Sequence, residues 1–309
     1  MSATINTPVC VVGGANTGIP SCTMAPDKFI GAILIPKNKT FTDVEAAGII
    51  ALLQGLCLAG ESERVYPIFR FEEIADNSEE ETVSTLGYGS KQVAKDGKYD
   101  WTFRFLKGGL CFQKKLRAFN KSDKKVLFVD SNNVIFGTRA SDGNITGFSL
   151  DFFYAKPFKA ADGSNAAIFQ ARFALAKPAE FNDNVVYIDP GVDVEEAVKG
   201  NIDVELTQLD VTAGKVTVGI KTACDKVDLF DSYPSALAAG SLWKVTKAGV
   251  NVTITTVAAS TTRSGWDVSF TGTGEHVISL TTPDMLEEGN IGGPPDNGYE
   301  SNTLTVIMP

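Results

Sequence analysis

The sequence predicts a mainly β protein: an antiparallel β-sandwich or barrel with one flanking α-helix, followed by a small second β-sandwich. Short segments rich in β-branched and aromatic residues recur along the 309-residue chain, separated by Gly, Asn, Asp and Pro. The composition changes around residues 189–191, after which the chain is richer in Thr and Val and poorer in Phe. Strands joined by local turns favour antiparallel pairing, and the change in composition favours a second domain.

One segment, residues 43–59, has the pattern of a helix. Thr42 and Glu45 match a capping box, in which each side chain accepts a hydrogen bond from the backbone N–H of the other residue. Apolar residues from Val44 to Leu58 then form a wide stripe, as expected of a helix that lies on a sheet. Gly60 is placed to end the helix.

The strands of the first part are predicted from alternation and from turn residues. Residues 99–105 alternate strictly, which predicts a strand with aromatic side chains buried on one face and polar side chains in solvent on the other. Residues 126–130 and 134–138 flank a predicted hairpin turn. Further strands are predicted at residues 65–71, 145–158 and 166–175.

A second domain is predicted over residues 225–309, after a first domain over residues 1–224. Short strands recur in the second domain about every ten residues, which is typical of a small immunoglobulin-like sandwich. Trp243 and Trp266 are candidates for its buried core. Because Cys224 has no second cysteine after it, this is not predicted to be a disulfide-bearing immunoglobulin domain.

Composition and cysteine usage indicate an ordinary globular protein. The chain is 43% hydrophobic and 21% charged, and no apolar stretch approaches the roughly 20 residues of a membrane-spanning helix. The first residues lack the basic and apolar regions of a signal peptide, which predicts folding in a reducing cytoplasm. The five cysteines are scattered, and we expect small buried hydrophobic residues rather than a zinc site or a disulfide framework.

The residues that are able to carry chemistry match no catalytic motif. His276, the single histidine, lies in a predicted strand, and no G-x-S-x-G motif supplies a nucleophile for it. The glycines of residues 11–18 do not match the dinucleotide fingerprint. Asp183, Asp189 and Asp193 do not match the spacing of a calcium loop. The sequence therefore predicts a protein that is not an enzyme and that uses no cofactor and no metal.

Charge is distributed unevenly along the chain. The net charge is −9, but residues 91–125 hold eleven Lys or Arg against three Asp, which makes this segment +8 and leaves −17 on the rest. Residues 72–81 hold six acids and no base, and residues 180–210 hold nine acids and one Lys. Aromatic residues interleaved with the bases would suit a nucleic-acid platform, but strand alternation explains them, and an acidic chain repels phosphate.

Fields of opposite sign steer and register contacts between subunits, so the charged segments are candidate interfaces. We expect residues 91–125 to form a long hairpin arm whose positive charge meets acidic surfaces of a neighbouring subunit. Such head-to-tail contacts build rings and filaments. The residues predicted at contacts between subunits are Lys114, Lys115, Arg117, Lys121, Glu79, Glu80, Glu81, Glu195 and Glu196.

Five segments together carry a resemblance to a known family. They read TLGYG at 85–89, DGKYDWTF at 96–103, QKKLRAFN at 113–120, FVD…GT at 128–138 and DFFYAKPFK…DGS at 151–164. Over residues 8–190 this pattern resembles virion structural proteins of phages and prophages of Bacteroidota, and it is similar to tail tube proteins. The resemblance implies a tube domain whose copies close into rings, usually hexamers, which stack around a DNA channel. It also implies a C-terminal immunoglobulin-like decoration.

The resemblance predicts a self-assembling tail tube subunit of the virion tail, assembled in the host bacterial cytoplasm. Its expected partners are copies of itself, other phage tail or head–tail proteins, and genomic DNA that passes without sequence-specific binding; no membrane is expected. The early position of the helix departs from the family pattern. This leaves open a head–tail connector, capsid decoration or baseplate protein. Exposed Trp243, Trp266 or Tyr233 would instead suit a carbohydrate-binding or adhesin module.

Overall fold

A computed structural model describes residues 3–6, 26–105, 109–120, 123–161, 163, 167–231, 234–281 and 298–309. In these residues the protein is mainly β, with antiparallel sheets and few helices, as predicted. Contacts between residues are dense within two parts of the chain and sparse between them, so the chain forms two compact units. We call residues 1–53 with 62–198 the first unit, and residues 54–61 with 199–309 the second unit.

The first unit contains a branched sheet and a separate two-stranded ribbon. The strands are β1 (Thr4–Asn6), β2 (Phe29–Pro36), β3 (Tyr66–Phe69), β4 (Glu73–Asp76), β5 (Thr82–Thr85), β6 (Lys91–Lys95), β7 (Asp100–Phe105), β8 (Lys124–Asp130), β9 (Ile135–Arg139), β10 (Ile145–Thr146), β11 (Phe148–Ala155), β12 (Phe169–Leu175) and β13 (Val185–Asp189). The sheet runs β1-β13-β9-β8-β11-β12-β7-β4, with β2 and β3 branching from β8 and β10 paired to β9. β5 and β6 form the ribbon.

Strand β11 turns this sheet back on itself. Its first residues pair with β8, and after a bulge between Leu150 and Phe152 its later residues pair with β12. A bulge bends the strand that contains it, so the two parts of the sheet face each other across an aromatic core. The ring of Phe128 lies 5.4 Å from Trp101 and 5.7 Å from Phe173, measured between centroids. The predicted sandwich or barrel is confirmed.

The helix predicted at residues 43–59 forms as two helices, α1 (Asp43–Ala47) and α2 (Ile49–Cys57). The capping box is present, since Thr42 N donates to Glu45 Oε2 at 2.8 Å and Glu45 N donates to Thr42 Oγ1 at 3.3 Å. Gly48 separates the helices, because glycine is a poor helix former. Among the described residues of the first unit, the other helices are α3 (Gly109–Ala118), α4 (Pro178–Asn182) and α5 (Val194–Ala197). The prediction of one continuous flanking helix is therefore wrong in detail.

The face of strand β7 that was predicted to lie in solvent is buried at Asp100 and Thr102, whereas Arg104 on the same face is half-exposed. Its alternate aromatic side chains enter the core as predicted. On the other face, Arg172 Nε donates to both carboxylate oxygens of Asp100, at 2.7 and 3.0 Å. Asn77 Nδ2 donates to Thr102 Oγ1 at 3.0 Å. Asp100 and Thr102 are therefore buried with hydrogen-bond partners, which the alternation alone does not reveal.

The second unit contains a two-sheet β-sandwich. Its strands are β14 (Ile202–Thr212), β15 (Lys215–Thr222), β16 (Trp243–Lys247), β17 (Val250–Val252), β18 (Ile254–Ala259), β19 (Trp266–Phe270), β20 (Gly274–Leu280), β21 (Tyr299–Ser301) and β22 (Leu304–Met308), with 3₁₀ turns at Ala236–Ala238 and Gly240–Leu242. One sheet runs β18-β19-β15-β14-β21, and the other runs β17-β16-β20-β22. β14 and β21 are parallel. Trp243 and Trp266 are buried in the core, as predicted.

The two units divide at residue 198, before the predicted domain boundary at residue 224. The reason is that β14 and β15 belong to the second sandwich, where β15 pairs with β19 from Lys215 to Val218. Lys215 Nζ and Thr217 Oγ1 also donate to the carboxylate of Asp267, at 3.0 and 2.7 Å. The change in composition near residues 189–191 therefore predicts the division at residue 198 more closely than the start of the later series of strands does.

The cysteines follow the expectation only in part. Cys57 is a buried thiol. Cys111 and Cys224 each form a disulfide, so the expectation that the cysteines are simply small buried residues is wrong for these two. Disulfides require close and suitably oriented backbone positions, which sequence spacing does not give. Cys10 and Cys22 lie outside the described residues.

Candidate interaction surfaces

Between β4 and β7 the chain extends into a two-stranded arm, which we define as residues 79–98. Glu79 and Lys98 close its base with two backbone hydrogen bonds of 2.9 and 3.0 Å. Beyond them β5 pairs with β6, and Gly89 completes the turn with a φ of +79° and a hydrogen bond to the carbonyl of Leu86. Leu86 lies seven positions after Glu79 along the chain. At about 3.3 Å per residue, the arm extends roughly 23 Å from its base.

The arm is exposed to solvent on both of its faces. Every residue from 79 to 96 is exposed. Four of these residues are large and apolar: Val83 (49% exposed), Leu86 (51%), Tyr88 (102%) and Val93 (46%). An isolated two-stranded hairpin is at best marginally stable in water. The packing of the described residues therefore does not explain the arm, which makes it a candidate contact with another molecule.

The arm shares only residues 91–98 with the hairpin arm predicted at residues 91–125. From Asp100 the chain enters buried strand β7, and the later residues form helix α3 and strand β8. The prediction is wrong beyond the base of the arm, because the aromatic side chains of β7 need a core. Phe112, Leu116 and Phe119 also recur at helical spacing, a signal that identifies α3 in retrospect.

Helix α3 packs one face on the first unit and presents the other to solvent. Leu116 is buried, and Gln113 Nε2 donates to the carbonyl oxygen of Lys156 at 2.5 Å. The ring of Phe112 lies 5.5 Å from that of Phe105. A depression of about 500 Å³ is lined by Leu110, Lys114, Arg117 and Ala118 of the outer face, together with the buried Gln113.

The bases predicted to contact a neighbour lie on or beside this helix. Lys114 and Arg117 are exposed, and Lys115 is half-buried. No carboxylate of the described residues lies within 4.0 Å of Lys114 or Arg117. Lys121 lies outside the described residues. We call Leu110, Lys114 and Arg117 the basic face of α3.

The two acidic segments predicted at residues 72–81 and 180–210 meet in one groove of the first unit. It lies between the base of the arm and α4 and has a volume of about 1010 Å³. Val83, Pro178 and Ala179 supply apolar lining. Five carboxylates also line this acidic groove, from Glu79, Glu80, Glu81, Asp96 and Asp183.

Ion pairs within the chain neutralise only part of the acidic groove. Lys95 Nζ lies 2.6 Å from Glu79, and this hydrogen bond lowers the pKa of the Glu79 carboxyl. The two lysines that line the groove are paired with carboxylates outside its lining: Lys98 with Asp151 at 3.5 Å, and Lys177 with Glu180 at 3.7 Å. Among the described residues, no Lys or Arg lies within 4.0 Å of the carboxylates of Glu80, Glu81, Asp96 or Asp183.

Tyr99 joins the two walls of the acidic groove. Its hydroxyl donates a hydrogen bond to Asn182 Oδ1, which links the base of the arm to helix α4. Burial, and then the negative charge of Asp76, raise the pKa of the Tyr99 hydroxyl. The phenol therefore stays protonated over a wider pH range and keeps this donor.

The remaining acids predicted at contacts, Glu195 and Glu196, lie in helix α5. Arg70 Nε donates to Glu195 Oε1 at 2.8 Å, and this bond raises the pKa of Arg70. The backbone N–H of Glu196 donates to Asp193 Oδ1, the N-cap of α5, at 3.1 Å. Glu195 is therefore paired inside the first unit, unlike the carboxylates of Glu80 and Glu81.

The candidate functional residues of the second unit that the structure describes are buried in its core. His276 is fully buried, with Nδ1 3.0 Å from the carbonyl oxygen of Gly274 and its ring 5.0 Å from that of Phe270. Trp243 and Trp266 are buried and donate from Nε1 to backbone carbonyls. They therefore provide no exposed platform for a carbohydrate. Tyr233 lies outside the described residues.

No family model matches the chain, and no curated protein matches it. In the part of the chain that the structure describes, no helix is both long and apolar enough to cross a membrane. The same residues contain no group of three or more His, Cys, Asp or Glu suited to hold a metal ion. The candidate interaction surfaces among the described residues are therefore the arm, the basic face of α3 and the acidic groove.

Proposed function

We propose that this protein is a virion structural protein, a tail tube subunit whose copies form rings that stack around a DNA channel. The arm of residues 79–98 is the observation that carries the proposal. It extends roughly 23 Å from its base, and it carries four exposed apolar side chains that the described chain leaves uncovered. Contact with a second copy removes this apolar area from water, which is favourable.

The charge distribution supports head-to-tail assembly. The basic face of α3 and the acidic groove have no residue in common. When two copies bind through two unlike surfaces, the pair keeps one unbound surface of each kind. Further copies can therefore add, which gives rings or stacks. The net charge of −17 outside residues 91–125 also suits a channel that repels DNA phosphate and lets it pass.

Negative-stain electron microscopy with mass photometry, over a series of protein concentrations, tests the proposal. We expect long hollow tubes of uniform width, made in the bacterial cytoplasm on expression. Discrete closed rings would overturn the tube assignment in favour of a head–tail connector. Monomers at every concentration would overturn self-assembly altogether.

A variant that lacks the arm tests the observation behind the proposal. Because Glu79 and Lys98 already exchange two hydrogen bonds, replacing residues 80–97 by Asn-Gly closes the strands with a two-residue turn. We expect a folded protein by circular dichroism that forms no tubes. The matched control is Ala248→Asn, which creates an Asn-Gly turn between β16 and β17 and leaves the arm intact. Normal tubes from the arm-deleted variant would show that the arm does not serve assembly.

A further inference from the structure

We propose that the acidic groove binds the basic face of helix α3 from a second copy of the chain. This inference rests on the proposed self-assembly and names the two surfaces that meet in it. Three properties of the surfaces support the pairing: complementary charge, matching apolar contacts, and the fixed position of α3 on its own unit.

The charges left without partners are opposite in sign. Among the described residues, no Lys or Arg lies within 4.0 Å of the carboxylates of Glu80, Glu81, Asp96 and Asp183 in the acidic groove. Within the same residues, no carboxylate lies within 4.0 Å of Lys114 or Arg117 on the basic face. An Arg guanidinium binds a carboxylate through two parallel hydrogen bonds, whereas the Lys ammonium acts as a point charge. Complementary potentials of this kind set the register of an interface and accelerate encounter.

Both surfaces also carry apolar groups beside the charges. Leu110, at the start of the basic face, is 64% exposed. Val83 on the wall of the acidic groove is 49% exposed, and Pro178 and Ala179 line the opposite wall. Contact between Leu110 and these residues shields the ion pairs from water and from salt, which strengthens them.

The occupant of the groove is a second copy, because α3 is fixed on its own unit. Leu116 is buried in the aromatic core cluster, and Gln113 is bonded to the backbone at Lys156. Asn120, just after the helix, accepts a hydrogen bond from Ala155 N at 2.7 Å. These contacts hold the basic face outward, so a chain does not fill its own groove with α3.

Charge reversal on each surface tests the pairing. The Lys114→Glu/Arg117→Glu variant places acids on the helix, and the Glu80→Lys/Glu81→Lys variant places bases in the groove. We expect each variant alone to raise the concentration needed for assembly at least tenfold, because like charges that face each other at an interface repel. Mixing the two variants, or combining the four substitutions in one chain, restores opposite charges and is expected to restore assembly.

The matched control is Lys244→Glu/Arg263→Glu, which reverses two exposed bases of the second unit and is expected to assemble normally. Thermal unfolding followed by circular dichroism checks that each variant is folded. Wild-type assembly by both single-surface variants would overturn this pairing and leave the proposed function standing. Loss of assembly without rescue in the mixture would also overturn it. A wild-type chain that stays monomeric would overturn both proposals.

Discussion

Two hairpins of this protein are built alike and held differently. The arm of residues 79–98 and the hairpin β14–β15 both turn at a glycine with positive φ, Gly89 at +79° and Gly214 at +77°. The hairpin β14–β15 lies inside a sheet, with β21 beside β14 and β19 beside β15. The ribbon β5–β6 has no further strand on either side among the described residues. Both edges of hairpin β14–β15 pair with neighbouring strands and stabilise the second unit. Both edges of the arm are open to contact with another molecule.

The largest difference between the two hairpins is expected in the free energy of unfolding that is lost when a large side chain is truncated at each of them. Trp266 lies in β19 opposite Val218 of β15 and is fully buried. Trp266→Ala leaves a cavity and is expected to lower the free energy of unfolding of the second unit by about 3–5 kcal/mol. Tyr88→Ala on the arm is expected to change stability by less than about 0.5 kcal/mol. Urea unfolding followed by circular dichroism measures both, and equal effects would contradict the comparison.

The hydrogen bonds between the Asp267 carboxylate and hairpin β14–β15 make the stability of the second unit depend on pH. Burial raises the pKa of Asp267, but hydrogen bonds from Thr217, Lys215 and Ser260 lower it more, so its pKa lies below the ordinary 3.8. The ionised carboxylate therefore stabilises the fold above that ordinary pKa, and this contribution is lost as the pH falls through the lower folded-state pKa. Asp267→Asn is expected to cost about 1–3 kcal/mol at pH 7.

The measurement for Asp267→Asn is urea unfolding of the variant and the wild type from pH 7 down to pH 3. The difference between the two proteins is expected to shrink below about pH 4, as the wild-type carboxylate becomes protonated. Glu79→Gln on the exposed arm is the matched control and is expected to leave unfolding unchanged. A difference that stays constant with pH would contradict the role of the Asp267 charge.

The two turn glycines provide a smaller and directly matched test. Gly214→Ala forces a side chain into the left-handed region and is expected to cost about 1 kcal/mol in global stability. Gly89→Ala introduces the same strain, but the cost is expected to appear only as faster amide exchange within the arm. Hydrogen exchange with mass spectrometry separates the two results. A global loss from Gly89→Ala would show that the arm stabilises the first unit.

The smallest effect on stability is expected from removal of the arm itself. Replacing residues 80–97 by Asn-Gly removes an exposed segment, so the free energy of unfolding is expected to change by less than about 0.5 kcal/mol. Chemical denaturation of the monomer measures this change. A loss of several kcal/mol would mean that the arm is part of the fold and would remove the contrast with β14–β15.

Local patterns in the sequence predicted most of the strands. The capping box at Thr42 and the hairpin turn between β8 and β9 were predicted because short-range hydrogen bonds and turn residues determine them. Trp243 and Trp266 were predicted as core residues because strand spacing places them on inner faces. Helix α3 was missed because its basic residues were interpreted together with the alternating strand before it.

The candidate surfaces depend on contacts that are distant in sequence. Glu79 to Glu81 and Asp183 share a groove although about a hundred residues separate them, and local pattern carries no signal of that contact. The pairing of Asp100 with Arg172 was missed for the same reason, since β7 and β12 become neighbours only through the order of the sheet. The sequence predicted both acidic segments, but not that they meet.

The ladder of the arm also restricts how its length can change. Side chains alternate between its faces, so inserting one residue in each strand would turn the side chains of the outer half to the opposite faces. Insertions of two residues in each strand preserve the faces and lengthen the arm by about 6.6 Å. If the arm bridges two copies, its length sets the spacing between them. The spacing between adjacent copies is then expected to differ among related chains by multiples of this length.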